Sequence, residues 1–147
     1  MALVGTNIGA GQRERALRTA LIGGAIAFGI TETVGVVAAL WPRAWLGLFG
    51  TDPQMLATGA AYLRAVGPCY GFFGLGLVLY FASQGAGRLL WPLLAGLLRM
   101  VIAVAGGWIV ASLTGSLAWA FAILGVALVV YGAMVFGAVR AGAWFRR

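Results

Sequence analysis

The sequence predicts an all-α membrane protein with four transmembrane helices, and two observations carry that expectation. The first is composition: 63% of the 147 residues are hydrophobic, 9% are charged, and the mean hydropathy is +1.01. A soluble domain carries roughly 25% charged residues because water must wet its surface, so most of this surface is expected to face lipid. The second is pattern. Four windows, at about 19–41, 60–82, 89–111 and 117–139, are each apolar over 18 or more residues, the length that crosses a hydrocarbon core about 30 Å thick. Four such helices in succession leave no polar face to show water. Barrel strands would alternate strictly over about ten residues, and no such alternation is present.

The elements follow in order. Residues 1–10 form a short apolar run without the basic n-region of a signal peptide. Gly9-Ala10-Gly11 then turns into a charged helical start holding Arg13, Glu14, Arg15 and Arg18. The first span is interrupted only by Glu32 and is ended by Pro42. Residues 43–50, with Trp41, Trp45 and Phe49, suit the headgroup layer, where an indole keeps its ring dry and its N–H wet. Thr51-Asp52-Pro53 is a helix-start signal, a capping oxygen followed by proline in the first turn. The second helix is therefore expected to start near Pro53, to run through Arg64 into the membrane, and to kink around Pro68. Ser83-Gln84-Gly85 reads as the turn that bounds it. Pro92 falls in the first turn of the third span, where its missing N–H costs little, and Arg99 interrupts that span near its middle. The fourth span carries no charge.

The arginines set an orientation. With the N-terminal segment in the cytoplasm, four crossings return the C-terminus there. Arg13, Arg15, Arg18, Arg88, Arg140, Arg146 and Arg147 then lie inside, against Arg43 and Arg64 at the other side, a positive-inside bias. The net charge of +7 sits at the edges of apolar runs and not along one solvated face, which argues against nucleic acid as a partner and for membrane lipid. All ten basic residues are arginine, and Ala and Gly are abundant, a bias that points to a GC-rich bacterial genome. Cys69 is the lone cysteine and histidine is absent, so neither an internal disulfide nor a metal cluster is expected, and no cofactor is called for. With no Ser-His-Asp set, no close carboxylate pair and no phosphate loop, no catalytic residue is expected and an enzyme is excluded.

Two charges remain inside the membrane. Glu32 and Arg99 lie near the middle of the first and third spans, where a charge costs about 2.5–3.5 kcal/mol on insertion scales. Both are expected to face the protein interior or a watery cavity. They stand either as a transport or ion-coupling pair or as a structural ion pair between two parallel helices. On the second span, Gly67 and Gly71 have the spacing that lets helices approach closely, and with Pro68 they form either a packing face or a hinge. Tyr70, Tyr80 and Gln84 are candidates for lining a polar cavity.

Val4-Gly5-Thr6-Asn7-Ile8-Gly9-Ala10-Gly11 with Arg13-Glu14-Arg15-Ala16 resembles the loop signature of multidrug and toxic compound extrusion (MATE) transporters. Trp45-Leu46, Leu48-Phe49 and Thr51-Asp52-Pro53 resemble that family's loop between helices nine and ten. Ser83-Gln84-Gly85-Ala86-Gly87-Arg88, Trp91-Pro92-Leu93-Leu94 and Leu98-Arg99 resemble its segment joining helices ten and eleven. The resemblance spans the whole chain in order and places the four spans at helices nine to twelve, part of the C-terminal lobe of a twelve-helix antiporter. It implies export of cationic amphipathic drugs in exchange for protons or sodium ions, in a bacterial inner membrane. It also implies that residues 1–147, one transmembrane helical unit, are a fragment whose N-terminal lobe is missing. The family's proton-linked aspartate belongs to the first helix, outside this chain. An acid on helix ten serves sodium-coupled members, and none occurs between Arg64 and Arg88 here. Glu32 matches no family motif. Two further readings stand beside this one: a self-contained four-helix dimer like the small multidrug resistance proteins, with Glu32 as its single essential acid, and a non-transporting membrane scaffold subunit.

Overall fold

Four helices long and apolar enough to cross a membrane dominate the computed structural model, which describes residues 1–145. A short helix α1 (Ala2–Gly9) comes first, and a turn with Gly11 at φ 73° reverses the chain into α2 (Arg13–Leu40). Its 28 residues span about 42 Å at 1.5 Å per residue, enough to cross the hydrocarbon core and project beyond it. Pro42 sits at the first position of α3 (Pro42–Leu46), where no N–H is needed. Leu48 and Phe49 follow, 80% and 76% exposed, on the stretch expected to lie among headgroups.

The second crossing begins at Pro53, as the capping signal indicates: Asp52 Oδ2 accepts the Met55 N–H at 2.7 Å. It comprises α4 (Pro53–Val66), a 3₁₀ turn at Gly67–Cys69, and α5 (Tyr70–Gly85). The break falls at Pro68, which has no N–H to give the preceding turn. Ser83-Gln84-Gly85, read as a turn from sequence, is instead the last helical turn of α5; the reversal comes at 86–89, where Gly87 takes φ 68°. Arg88 N–H reaches the Ser83 carbonyl and closes that reversal at 2.9 Å, so the helix keeps its hydrogen bonds through Gly85.

The third crossing is α6 (Leu90–Val101), a π-helical segment (Ile102–Gly106) and α7 (Gly107–Thr114). Gly115, left-handed at φ 63°, turns it into α8 (Leu117–Arg140). Nothing in the apolar string Ile-Ala-Val-Ala-Gly announced the π segment. Arg146 and Arg147, counted in the charge bias above, lie outside the described residues.

The core lies at one end of the bundle. Ala16 and Ala20 of α2, Leu79 and Ala82 of α5, Ala95 of α6, and Val135 and Val139 of α8 are buried together with Val4 of α1. Beyond α8 the chain folds back and inserts Trp144, whose Nε1–H donates to Ser83 Oγ at 3.0 Å. The Arg13 guanidinium lies over the Phe145 ring, 5.4 Å from its centroid. The start of α2, the end of α5 and the end of α8 therefore share one end of the molecule. Elsewhere large apolar side chains stay uncovered, among them Ile22, Ile26 and Ile30 down one face of α2 and Leu93, Leu97, Val104 and Trp108 along the third crossing. Such surface is tolerable in lipid and not in water.

Candidate functional site

The α2–α5 seam is built from residues that have almost no side chain. Gly35 of α2 and Gly67 of the 3₁₀ turn touch backbone to backbone: a Cβ on Gly67 would stand 2.5 Å from the Gly35 carbonyl oxygen, and one on Gly35 would strike the Gly67 carbonyl oxygen. One turn on, Gly71 faces Phe28 and Glu32, and Gly74 faces Thr31. The absence of Cβ atoms lets the helices close to backbone contact, as Gly67 and Gly71 suggested from their spacing. Phe28 and Phe72 then meet edge to face at 5.3 Å.

Glu32 uses that closeness. Its Oε2 accepts the Gly71 N–H at 2.7 Å. The N–H is available because the 3₁₀ turn diverts the normal helical acceptor: Gly67 O takes the Tyr70 N–H instead. A helix N-terminus carries orphan N–H groups and a partial positive charge, so a carboxylate there is held by charge as well as by hydrogen bond. A hydrogen bond to a charged group contributes about 1.5–3 kcal/mol, comparable with the cost of placing a charge at mid-span. Glu32 is therefore stabilised inside the membrane by a broken helix.

The ion pair allowed by sequence does not form. Arg99, half-buried on α6, lies over two rings, with its guanidinium carbon 5.7 Å from the centroid of Phe73 and 5.3 Å from that of Tyr131. Cation–π contacts contribute about 0.5–2 kcal/mol each, which offsets part of the burial cost without supplying an acceptor. Arg99 Nε is buried and has no hydrogen-bond partner among the described residues. The two mid-membrane charges thus have separate surroundings, one a helix terminus and the other aromatic faces.

The other sequence-selected residues are also dispersed. Tyr70 lines a groove of about 400 Å³ with Ile30, Thr31, Val34 and Phe73, and the groove is apolar apart from Thr31 and the Tyr70 hydroxyl. That hydroxyl lies 3.5 Å from the hydroxyl of Tyr62. Tyr80 packs edge-on against Phe81 at 5.6 Å, about 15 Å farther along the helix at 1.5 Å per residue. Gln84 sits a turn beyond, beside the Trp144–Ser83 contact. Tyr70, Tyr80 and Gln84 therefore do not converge on one polar cavity. Pro68 is exposed, while Gly67 and Gly71 on either side are buried in the seam.

Sequence reasoning missed three participants: the Gly71 N–H, the Phe73–Tyr131 ring pair beneath Arg99, and Tyr62 opposite Tyr70. The first had a signal, since a proline three residues before an N–H loosens the hydrogen-bond ladder there. The others are contacts between helices, which the order of residues along one helix does not report. A second groove, of about 300 Å³, lies between α4 and α6 above α8, with Tyr62 and Arg99 among its lining residues. A cavity at the terminal end, about 820 Å³ and lined by Trp91, Pro92 and Trp144 among others, is remote from Glu32.

The sequence model of the MatE family matches residues 1–109. That stretch takes in α1 through α6, the 3₁₀ turn with Glu32 against it, and the π segment carrying the chain past Arg99. No curated protein and no solved structure matches the chain. The match covers most of the 147 residues and agrees with an all-helical chain bearing four membrane-length helices: the chain belongs to the MatE family of multidrug and toxin efflux transporters.

Proposed function

We propose that this chain is the C-terminal part of a cation-coupled multidrug efflux antiporter of the bacterial inner membrane. Both termini face the cytoplasm, and the four crossings occupy the places of helices nine to twelve. An N-terminal lobe of the same transporter completes the substrate path, which takes a cationic amphipathic drug outward against a proton or sodium ion. The orientation is supported by the clustering of Arg13, Arg15, Arg18, Arg88 and Arg140 toward the end where the termini meet.

The observation that carries the coupling is the Glu32–Gly71 contact. A proton or a sodium ion arriving at the Glu32 carboxylate neutralises the charge that strengthens its hydrogen bond from the Gly71 N–H. Loading the cation thereby loosens the seam at the one place where the second crossing is already broken, so ion occupancy and helix geometry are linked. Gly67, Pro68 and Gly71 act in this reading as the hinge, and Tyr70 moves with it.

The test is drug efflux from cells or everted vesicles expressing the whole transporter, with wild-type Glu32 or Glu32→Gln. The neutral amide still accepts from Gly71 N–H but holds no proton. Efflux is expected to fall at least tenfold while the protein remains in the membrane at normal abundance. Undiminished, cation-dependent efflux by Glu32→Gln removes Glu32 from the coupling. Residues 1–147 expressed alone are expected to confer no efflux, and resistance from that segment by itself would sink the two-lobe reading.

A further inference from the structure

Arg99 is a permanent cation whose Nε is buried without an acceptor among the described residues. Glu32, the other mid-membrane charge, is committed to the Gly71 N–H. The two rings beneath the guanidinium cover one side of it and accept nothing in the plane of its N–H groups. Beside it the π-helical segment Ile102–Gly106 widens the helix, a distortion that recurs at functional sites. Arg99 also lines the groove of about 300 Å³, with Val66 and Tyr62 of α4 on one wall, Arg99 and Val104 on the other, and Leu124 and Leu128 of α8 as its floor. Two donors, a guanidinium and a phenol hydroxyl, thus border a volume otherwise walled by hydrocarbon.

The geometry points to a binding site for a carboxylate-bearing amphiphile, with the carboxylate on Arg99 and a short apolar body along Leu124 and Leu128. Charge complementarity selects the head: a planar guanidinium matches a carboxylate with paired N–H donors. Volume selects the body, since about 300 Å³ holds on the order of ten water-sized groups of ~30 Å³ each. Octanoate, a carboxylate on a seven-carbon chain, is a ligand of that size. Depth argues against a phospholipid headgroup, because Arg99 lies nine residues into the helix from Leu90, about 14 Å at 1.5 Å per residue. This assignment does not rest on the efflux reading, and binding is measured without transport.

Octanoate labelled with ¹³C at the carboxyl is titrated into the purified chain in neutral detergent. The carboxyl resonance reports both occupancy and ionisation state, and protein-free micelles serve as the blank. Saturable binding of ionised octanoate is expected, at least tenfold tighter than octanol. Arg99→Gln is expected to weaken octanoate at least tenfold and to leave octanol unchanged, a split that a merely misfolded variant does not produce. Leu124→Trp fills the floor of the groove, keeps the charge, and is expected to exclude both ligands. Equal affinity for octanol, unchanged octanoate binding in Arg99→Gln, or a signal matching that of empty micelles each overturns the site.

Discussion

The α2–α5 seam and the third crossing, α6 through α7, are both apolar helical structure with one ionisable residue at mid-depth, yet they are held in opposite ways. In the second crossing 39% of the most apolar window is buried inside the protein, against 11% in the third. The seam reaches its density by removing side chains: Gly35 meets Gly67, and Gly71 and Gly74 admit Glu32 and Thr31. The third crossing keeps large side chains and turns them outward, with Trp108 77% and Val104 68% exposed. The charges follow the packing. Glu32 sits where a backbone N–H comes within 2.7 Å, while Arg99 sits where only ring faces approach. In a solvent as apolar as its side chains, contact between helices depends on fit and on hydrogen bonds and not on hydrophobicity, so small residues mark the fixed seam and large ones mark the lipid-facing limb.

Substitutions sharpen or break that contrast. The largest effect is expected at Gly67→Leu, whose Cβ already meets the Gly35 carbonyl oxygen at 2.5 Å, with Ala39 Cβ at 3.1 Å beside it. A loss of about 3 kcal/mol or more, the upper range for overpacking, is expected as a lowered unfolding midpoint in detergent. An unchanged midpoint means that the backbones are not in contact. Next comes Glu32→Leu, which leaves the Gly71 N–H without its acceptor at a cost of about 1–3 kcal/mol. The same variant should speed hydrogen exchange at the Gly71 amide; exchange as slow as in the wild type would show that another group holds it. The smallest effect is expected at Trp108→Ala on the third crossing. Despite the large volume removed, the side chain is 77% exposed, and a change within about 0.5 kcal/mol is expected. A loss above 2 kcal/mol there would mean that the limb is as tightly packed as the seam.

Most of the fold was legible because hydropathy reads membrane crossings directly. The start at Pro53 and the break at Pro68 came from residues with fixed backbone chemistry, whereas the turn at Gly115 emerged only with the structure. The π segment was not legible, because Ile102–Gly106 has the same composition as the helix around it. Glu32 and Arg99 were visible as costly charges, since few residues compete for attention in an apolar run. Their partners were not, for two different reasons. The Gly71 N–H belongs to the backbone that every non-proline residue has, and only the 3₁₀ turn frees it. Phe73 and Tyr131 lie 58 positions apart, on different helices, and look like ordinary membrane aromatics until α5 and α8 are packed.

The Trp144–Ser83 hydrogen bond joins residues 61 positions apart, and that separation sets an order in time. Translation at about 5–20 residues per second puts Ser83 into nascent chain some 3–12 s before Trp144 is made. During that interval the end of α5 has no indole to seal it, and Ser83 can bond only to the carbonyl of Leu79 within its own helix. Because Trp144 follows α8 in the chain, the seal closes only after the last crossing has been synthesised.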